Sequence, residues 1–118
     1  MGIEAKAALV IDFEHLSLYT GGDAALTCEV MRLFRTQTAD LISLLQKTGD
    51  AKTFRETVHA LKGASRALGA WEAARAAEAV EQAKESAAQA AAVRLLADAL
   101  ARVHELTVMF EADHGPAV

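Results

Sequence analysis

Apolar residues along this chain recur at helical rather than alternating spacing, and no alternating run is long enough to make a sheet. The class expected is all-α. Ile11 to Tyr19 reads as a short first helix stopped by Gly21-Gly22, after which Asp23 is placed to cap a long helix running to about Lys47. Its expected apolar face holds Leu26, Val30, Leu33, Phe34, Leu41, Leu44 and Leu45. Gly49 ends that helix, Asp50 caps a third one, and Gly69 stops the third after Leu68. A fourth helix from about Ala70 carries a stripe of small residues, Ala73, Ala76, Ala77, Val80, Ala83 and Ala87. A fifth carries Val93, Leu96, Leu100, Val103, Thr107 and Phe110. Only Ser86 and Gln89 hint at a turn between these two, but residues 71 to 112 as one helix would outrun a domain of this size, so they are expected to fold back on each other. The expectation is an antiparallel up-down-up-down four-helix bundle with a short additional N-terminal helix. Residues 1–10 form an N-terminal segment, 11–112 the domain and 113–118 a tail.

Composition narrows the function classes. The 118 residues suit one domain. Of these, 27 are Ala and only 5% are aromatic, the balance of a helix former with few large anchors. A net charge of -4 without any basic run argues against a phosphate-backbone binder, so no nucleic-acid partner is expected. No stretch approaches the roughly 20 apolar residues of a membrane span. Glu4 and Lys6 interrupt the start where a signal peptide would be apolar, and Lys6 also stands where a myristoylation motif wants Ser or Thr. The reading is a cytoplasmic protein with no membrane association, and a monomer. Cys28, the single cysteine, can make neither an internal disulfide nor a zinc site without thiol partners. It falls away from the apolar face of its helix and reads as a tolerated thiol.

The third helix separates into two faces. With Phe54 set to zero on the helical wheel, Val58 falls at about 40°, Leu61 at about -20°, Ser65 at about 20° and Leu68 at about -40°, a coherent inward stripe. On the same wheel His59 sits at about 140°, with Arg55, Lys62, Arg66 and Lys52 between about 80° and 160°, and Gly63 at about 180°. An isolated surface histidine is ordinarily a solvated residue. Here Gly63, the one glycine inside a predicted helix, lies one turn beyond it and costs about 1 kcal/mol relative to Ala with no turn to justify it. A side chain at 63 would crowd the imidazole, so its absence leaves a ring nitrogen open to a group brought by a partner. Lys62 shares the face and can reach an anion held at that nitrogen, and Arg66 can do likewise. Neutral imidazole is a nucleophile near pH 7, and neighbouring cations favour the neutral ring before reaction and steady a phosphoryl group after it. A metal would need a second ligand at helical spacing, where the chain instead has Lys62, Gly63, Arg55 and Glu56. No metal site is expected.

The run His59-Ala60-Leu61-Lys62-Gly63-Ala64-Ser65-Arg66-Ala67-Leu68-Gly69 resembles the H-x-L-K-G-x-S-x-x-L-G motif of histidine-containing phosphotransfer (HPt) domains, and the stretch from Asp12 through Gly21-Gly22-Asp23 to Leu33-Phe34 resembles the family's N-terminal part. The resemblance covers about residues 11 to 112. It implies an HPt-like bundle whose histidine carries a phosphoryl group between the aspartyl-phosphate receiver domains of a hybrid sensor kinase and a response regulator. By that similarity His59 is the phosphoacceptor, Lys62 the phosphate-stabilising cation and Gly63 the access residue. Many members place a Gln on the following helix near the histidine; here the aligned position is Glu81, with Gln82 beside it. The chain has no acidic cluster for Mg²⁺ and no Gly-rich phosphate loop, so no cofactor is expected on it. Mg²⁺ and the acceptor Asp are assigned to the receiver, and the chain itself to a carrier with no kinase activity.

A transient partner needs an apolar patch within a polar rim. Phe13, Leu16 and Tyr19 of the first helix are candidates for the patch, with Lys52, Arg55 and Arg66 for the rim. The remaining histidines read as structural or solvated: His15 and His114 at the surface, His104 near the inward stripe of the last helix. Trp71 is expected to pack at the start of the fourth helix. The competing reading is a helical adaptor or dimerisation module without phosphoryl chemistry.

Overall fold

The computed structural model describes residues 10–115; expectations about residues 1–9 and 116–118 lie outside them. Among the described residues the chain is helical with short connectors: α1 (Phe13–Thr20), α2 (Ala24–Lys47), α3 (Ala51–Leu68), α4 (Trp71–Gln82) and α5 (Ser86–His114). Helices α2 to α5 pack in sequential order, α5 closes back on α2, and α1 lies against α2 and α3. That is the expected four-helix bundle with its short extra helix. The last helix runs on to His114, two residues past the expected end.

Local chemistry sets the boundaries of the first three helices. Asp12, Asp23 and Asp50 occupy their N-caps, each accepting from a backbone N–H of the first turn, at 3.1 Å from His15, 2.8 Å from Leu26 and 2.8 Å from Thr53. These contacts hold the carboxyls of Asp12 and Asp50 below the usual range. For Asp12 the indole N–H of Trp71 is the larger cause and the cap amide the next; for Asp50 it is Thr53, through its amide first and then its hydroxyl. Gly69 ends α3 at φ +84°, and a Cβ there would stand 2.8 Å from the Asp12 carbonyl oxygen, so both its backbone angle and its neighbour demand glycine. The Asp12 amide donates to the Gly69 carbonyl at 2.9 Å, and Trp71 Nε1 donates to Asp12 Oδ2 at 3.0 Å. The start of α1 is thereby fastened to the α3–α4 corner, with Trp71 packed edge-on against the His15 ring.

The inward stripe of α3 is as the wheel places it: Val58, Leu61, Ser65 and Leu68 are buried and Phe54 packs against the core. The stripe of α2 is not. Leu26, Leu33 and Leu44 are exposed, while Thr27, Met31, Phe34, Thr38 and Leu45 are buried. Two threonines can replace leucines there because each hydroxyl donates at 2.7 Å to the carbonyl four residues back, Thr27 to Asp23 and Thr38 to Phe34, leaving no unpaired donor. Cys28 is also buried, against expectation, near the start of α2. The α4–α5 break falls at Ala83–Glu85, so Ala83 is a helix cap and Ala87 an exposed residue of α5 rather than members of the α4 stripe. Ala73, Ala77 and Val80 do form that stripe. Phe13 stacks on Phe110 with ring centroids 5.7 Å apart, and Leu16 is 2% exposed. Both belong to the packing of α1 on the bundle and are withdrawn from the candidate docking patch; Tyr19, 66% exposed, remains.

Candidate functional site

His59 stands midway along α3, a helix fixed at one end by the Asp50 cap and at the other by Gly69. Its side chain is 78% exposed. Lys62, one turn on, is only 17% exposed and reaches across to α4, where its Nζ donates to Glu81 Oε1 at 2.6 Å. The other oxygen of that carboxylate, Oε2, lies 3.9 Å from His59 Nδ1. One carboxylate on α4 thus serves both the lysine and the inner edge of the imidazole, and Nε2 is left on the outer edge of the ring. Glu81 belongs to the candidate site.

The other expected residues divide. Arg66 lies 3.9 Å from Glu78, and the Gln82 amide donates to the same Glu78 at 3.4 Å. Both are directed at a carboxylate one turn from Glu81 and neither reaches His59. Lys52 is 3.8 Å from Glu56 on its own helix. Among the described residues Arg55 makes no ion pair; it lines an open groove of about 710 Å³ at the end of the bundle, together with Glu81.

Gly63 is exposed, and a Cβ built on it meets nothing within 4 Å. The imidazole would not be crowded by a methyl group, which corrects the expected reason for the glycine. No packing among the described residues requires it, although it sacrifices about 1 kcal/mol of helix propensity. The space it leaves opens toward solvent.

A second feature was not legible beforehand. On the side of α3 away from Glu81, an apolar groove of about 260 Å³ runs between α1, α2 and α3, lined among others by Tyr19, Leu33, Gln37, Ala64 and Ala67. On the wheel Gly63 and Ala67 lie about 40° and about 80° from His59, stepping toward this groove, whereas Lys62 lies about 60° the other way. The signal in the sequence was Leu33, an apolar residue counted into the core that is 57% exposed. Elsewhere, no group of three His, Cys, Asp or Glu among the described residues could hold a metal ion, and no described helix is long and apolar enough to cross a membrane.

The model of the Hpt domain family matches residues 2–106. The chain belongs to that family. No curated protein and no solved structure matches it. Membership of the Hpt family implies histidine phosphotransfer in two-component phosphorelays, with receiver domains and kinases as the interacting class and a phosphocarrier rather than a classical enzyme as the role.

Proposed function

We propose that this Hpt domain carries a phosphoryl group on His59 Nε2, reversibly, between the aspartyl-phosphate receiver domain of a hybrid sensor kinase and that of a response regulator. The observation that carries the reading is the outward imidazole beside a glycine that no internal contact requires. In the transfer step the Nε2 lone pair attacks phosphorus in line, the P–O bond to the receiver aspartate breaks, and its electrons return to the carboxylate. The Nδ1 proton stays on the ring, on the side of Glu81. In the reverse step the N–P electron pair returns to Nε2. Lys62 is a cation within one helical turn, held between α3 and α4, that can meet the transferred group. The acceptor aspartate and Mg²⁺ come from the receiver, and this chain binds neither ATP nor a cofactor of its own. It acts as a cytoplasmic monomer.

The receiver docks on the apolar groove at Tyr19, Leu33 and Ala67; Arg55, which lines the other groove beside Glu81, lies on the opposite side of His59 and is not part of its rim. A partner seated there reaches Nε2 by passing over Gly63. A side chain at 63 would stand in that path even though it clashes with nothing in the free protein.

The test is transfer from a panel of receiver domains charged with acetyl phosphate. Acid-labile label on the wild type that disappears in His59→Gln is the expected result. Absence of label from every receiver, or equal labelling of the variant, would leave the helical adaptor as the better reading.

A further inference from the structure

Lys62 cannot give its whole charge to a phosphoryl group, because in the resting protein it is already held by Glu81 at 2.6 Å, with the ammonium largely sheltered and the carboxylate 30% exposed. Other carboxylates of α4 are engaged elsewhere: Glu78 faces Arg66 and Gln82, and Glu72 faces Arg102. Among the described residues Glu81 is therefore the one acidic group within 4 Å of both the histidine and its lysine. We infer that Glu81 is a positioning residue that competes with the phosphoryl group for Lys62 and so biases the carrier toward giving the phosphoryl group away. The inference rests on the phosphocarrier reading of His59.

The bias is electrostatic. A phosphoryl group on Nε2 places close to two negative charges beside the Lys62–Glu81 pair. To bind it, Lys62 must share or leave a short, charge-assisted hydrogen bond, and the dianion must tolerate the Glu81 carboxylate nearby. Both effects raise the free energy of the phosphorylated state relative to the free one. Glu81 stands closer to the lysine, at 2.6 Å, than to the ring, at 3.9 Å, so the competition for Lys62 is the stronger influence. A glutamine at 81 keeps the length and the hydrogen-bonding oxygen but removes the charge, releasing Lys62 to the phosphoryl group.

The experiment measures the equilibrium ratio of phosphorylated carrier to phosphorylated receiver, using a receiver domain that labels the wild type. In Glu81→Gln the ratio is expected to move toward phosphorylated His59 by about threefold to fivefold, the size of a partly exposed ion pair. In a Lys62→Ala background the same Glu81→Gln change is expected to shift the ratio by less than half as much, a loss of coupling that a general effect on folding would not produce. A wild type that takes no label from any receiver overturns the phosphocarrier reading itself. A labelled wild type whose ratio is unchanged or reversed in Glu81→Gln overturns only the role of Glu81. An undiminished shift in the Lys62→Ala background also overturns it.

Discussion

Two histidines of this bundle, His59 on α3 and His104 on α5, show how the same side chain is used in opposite ways. His59 points outward, with its inner edge 3.9 Å from a carboxylate and its outer nitrogen facing solvent. His104 is half-buried in the seam between α2 and α5, edge-on to Phe34. Its Nε2 lies 2.7 Å from Thr38 Oγ1. Because the Thr38 hydroxyl proton is directed to the Phe34 carbonyl, the threonine oxygen accepts here and His104 Nε2 carries the proton. Burial first, and the charge of Arg35 second, hold the His104 pKa below its ordinary value. Arg35 in turn donates to Thr107 and pairs with Glu111 at 2.6 Å, and that contact keeps the Glu111 carboxyl below the usual range. One histidine is spent on cohesion, while the other is withheld from it and stays available for chemistry.

The sharpest way to break this contrast is His59→Gln. Receiver-dependent, acid-labile labelling should fall to background while the unfolding free energy changes by no more than about 0.5 kcal/mol, as for surface substitutions generally. A large loss of stability would make His59 structural. The mirror experiment is His104→Ala, which should cost about 1–3 kcal/mol in denaturant unfolding, because the Thr38 oxygen loses its partner and the seam loses a ring, yet leave labelling of His59 intact. Gly63→Phe should slow transfer from a charged receiver by about tenfold or more through misplacement of the reacting groups. An unchanged transfer rate in that variant would remove the access argument.

A subtler test separates the two rings by pH. The folded pKa of His104 lies below 6.5, its unfolded reference. Between those values the unfolded chain binds a proton that the folded chain does not, so protonation favours unfolding. Stability from His104 is complete above pH 6.5 and declines as pH falls through that value toward the folded pKa. The caps Asp12 and Asp50 and the paired Glu111 act in a lower window, since their stabilisation is lost only as pH drops through reference values of 3.8 and 4.5. Chemical denaturation at pH 7.5 and 5.5 should therefore show a decrease in the wild type that is reduced in His104→Gln. The smallest expected change is a gain: Gly63→Ala should stabilise by up to about 1 kcal/mol, since the added methyl meets nothing.

The site was more legible in the sequence than the packing of α2. The wheel of α3 separates His59 from the Val58–Leu61–Leu68 stripe because that helix carries large apolar groups on one side and charges on the other. Helix α2 lacks that contrast. Its leucines outnumber the positions the core can take, and Thr27 and Thr38 enter the core by hydrogen-bonding to their own helix, a solution invisible to a count of apolar residues. The same ambiguity hides the apolar groove beside α3, since Leu33 reads as a core residue. Cys28 is buried although it lies to one side of the Met31–Phe34–Leu45 face on the wheel. The α4–α5 break carried no Gly or Pro and was located only to within a turn. The partner of Lys62 depended on the register of α4 against α3, which no single helix encodes.

Among helices α1 to α5 the N-termini of α4 and α5 are the ones without a side-chain cap: Ala70 and Glu85 occupy those positions, and neither bonds a first-turn amide through its side chain. Glu81 stands in the final turn of α4, next to the Ala83–Glu85 connector, whereas His59 sits in the interior of a helix capped at both ends. Amide hydrogens around Glu81 should accordingly exchange with solvent faster than those around His59. His59 is thus mounted on the better-capped helix of the pair and Glu81 near the end of the other, so fraying of a single helical turn would free Lys62 from its carboxylate while α3 keeps its shape.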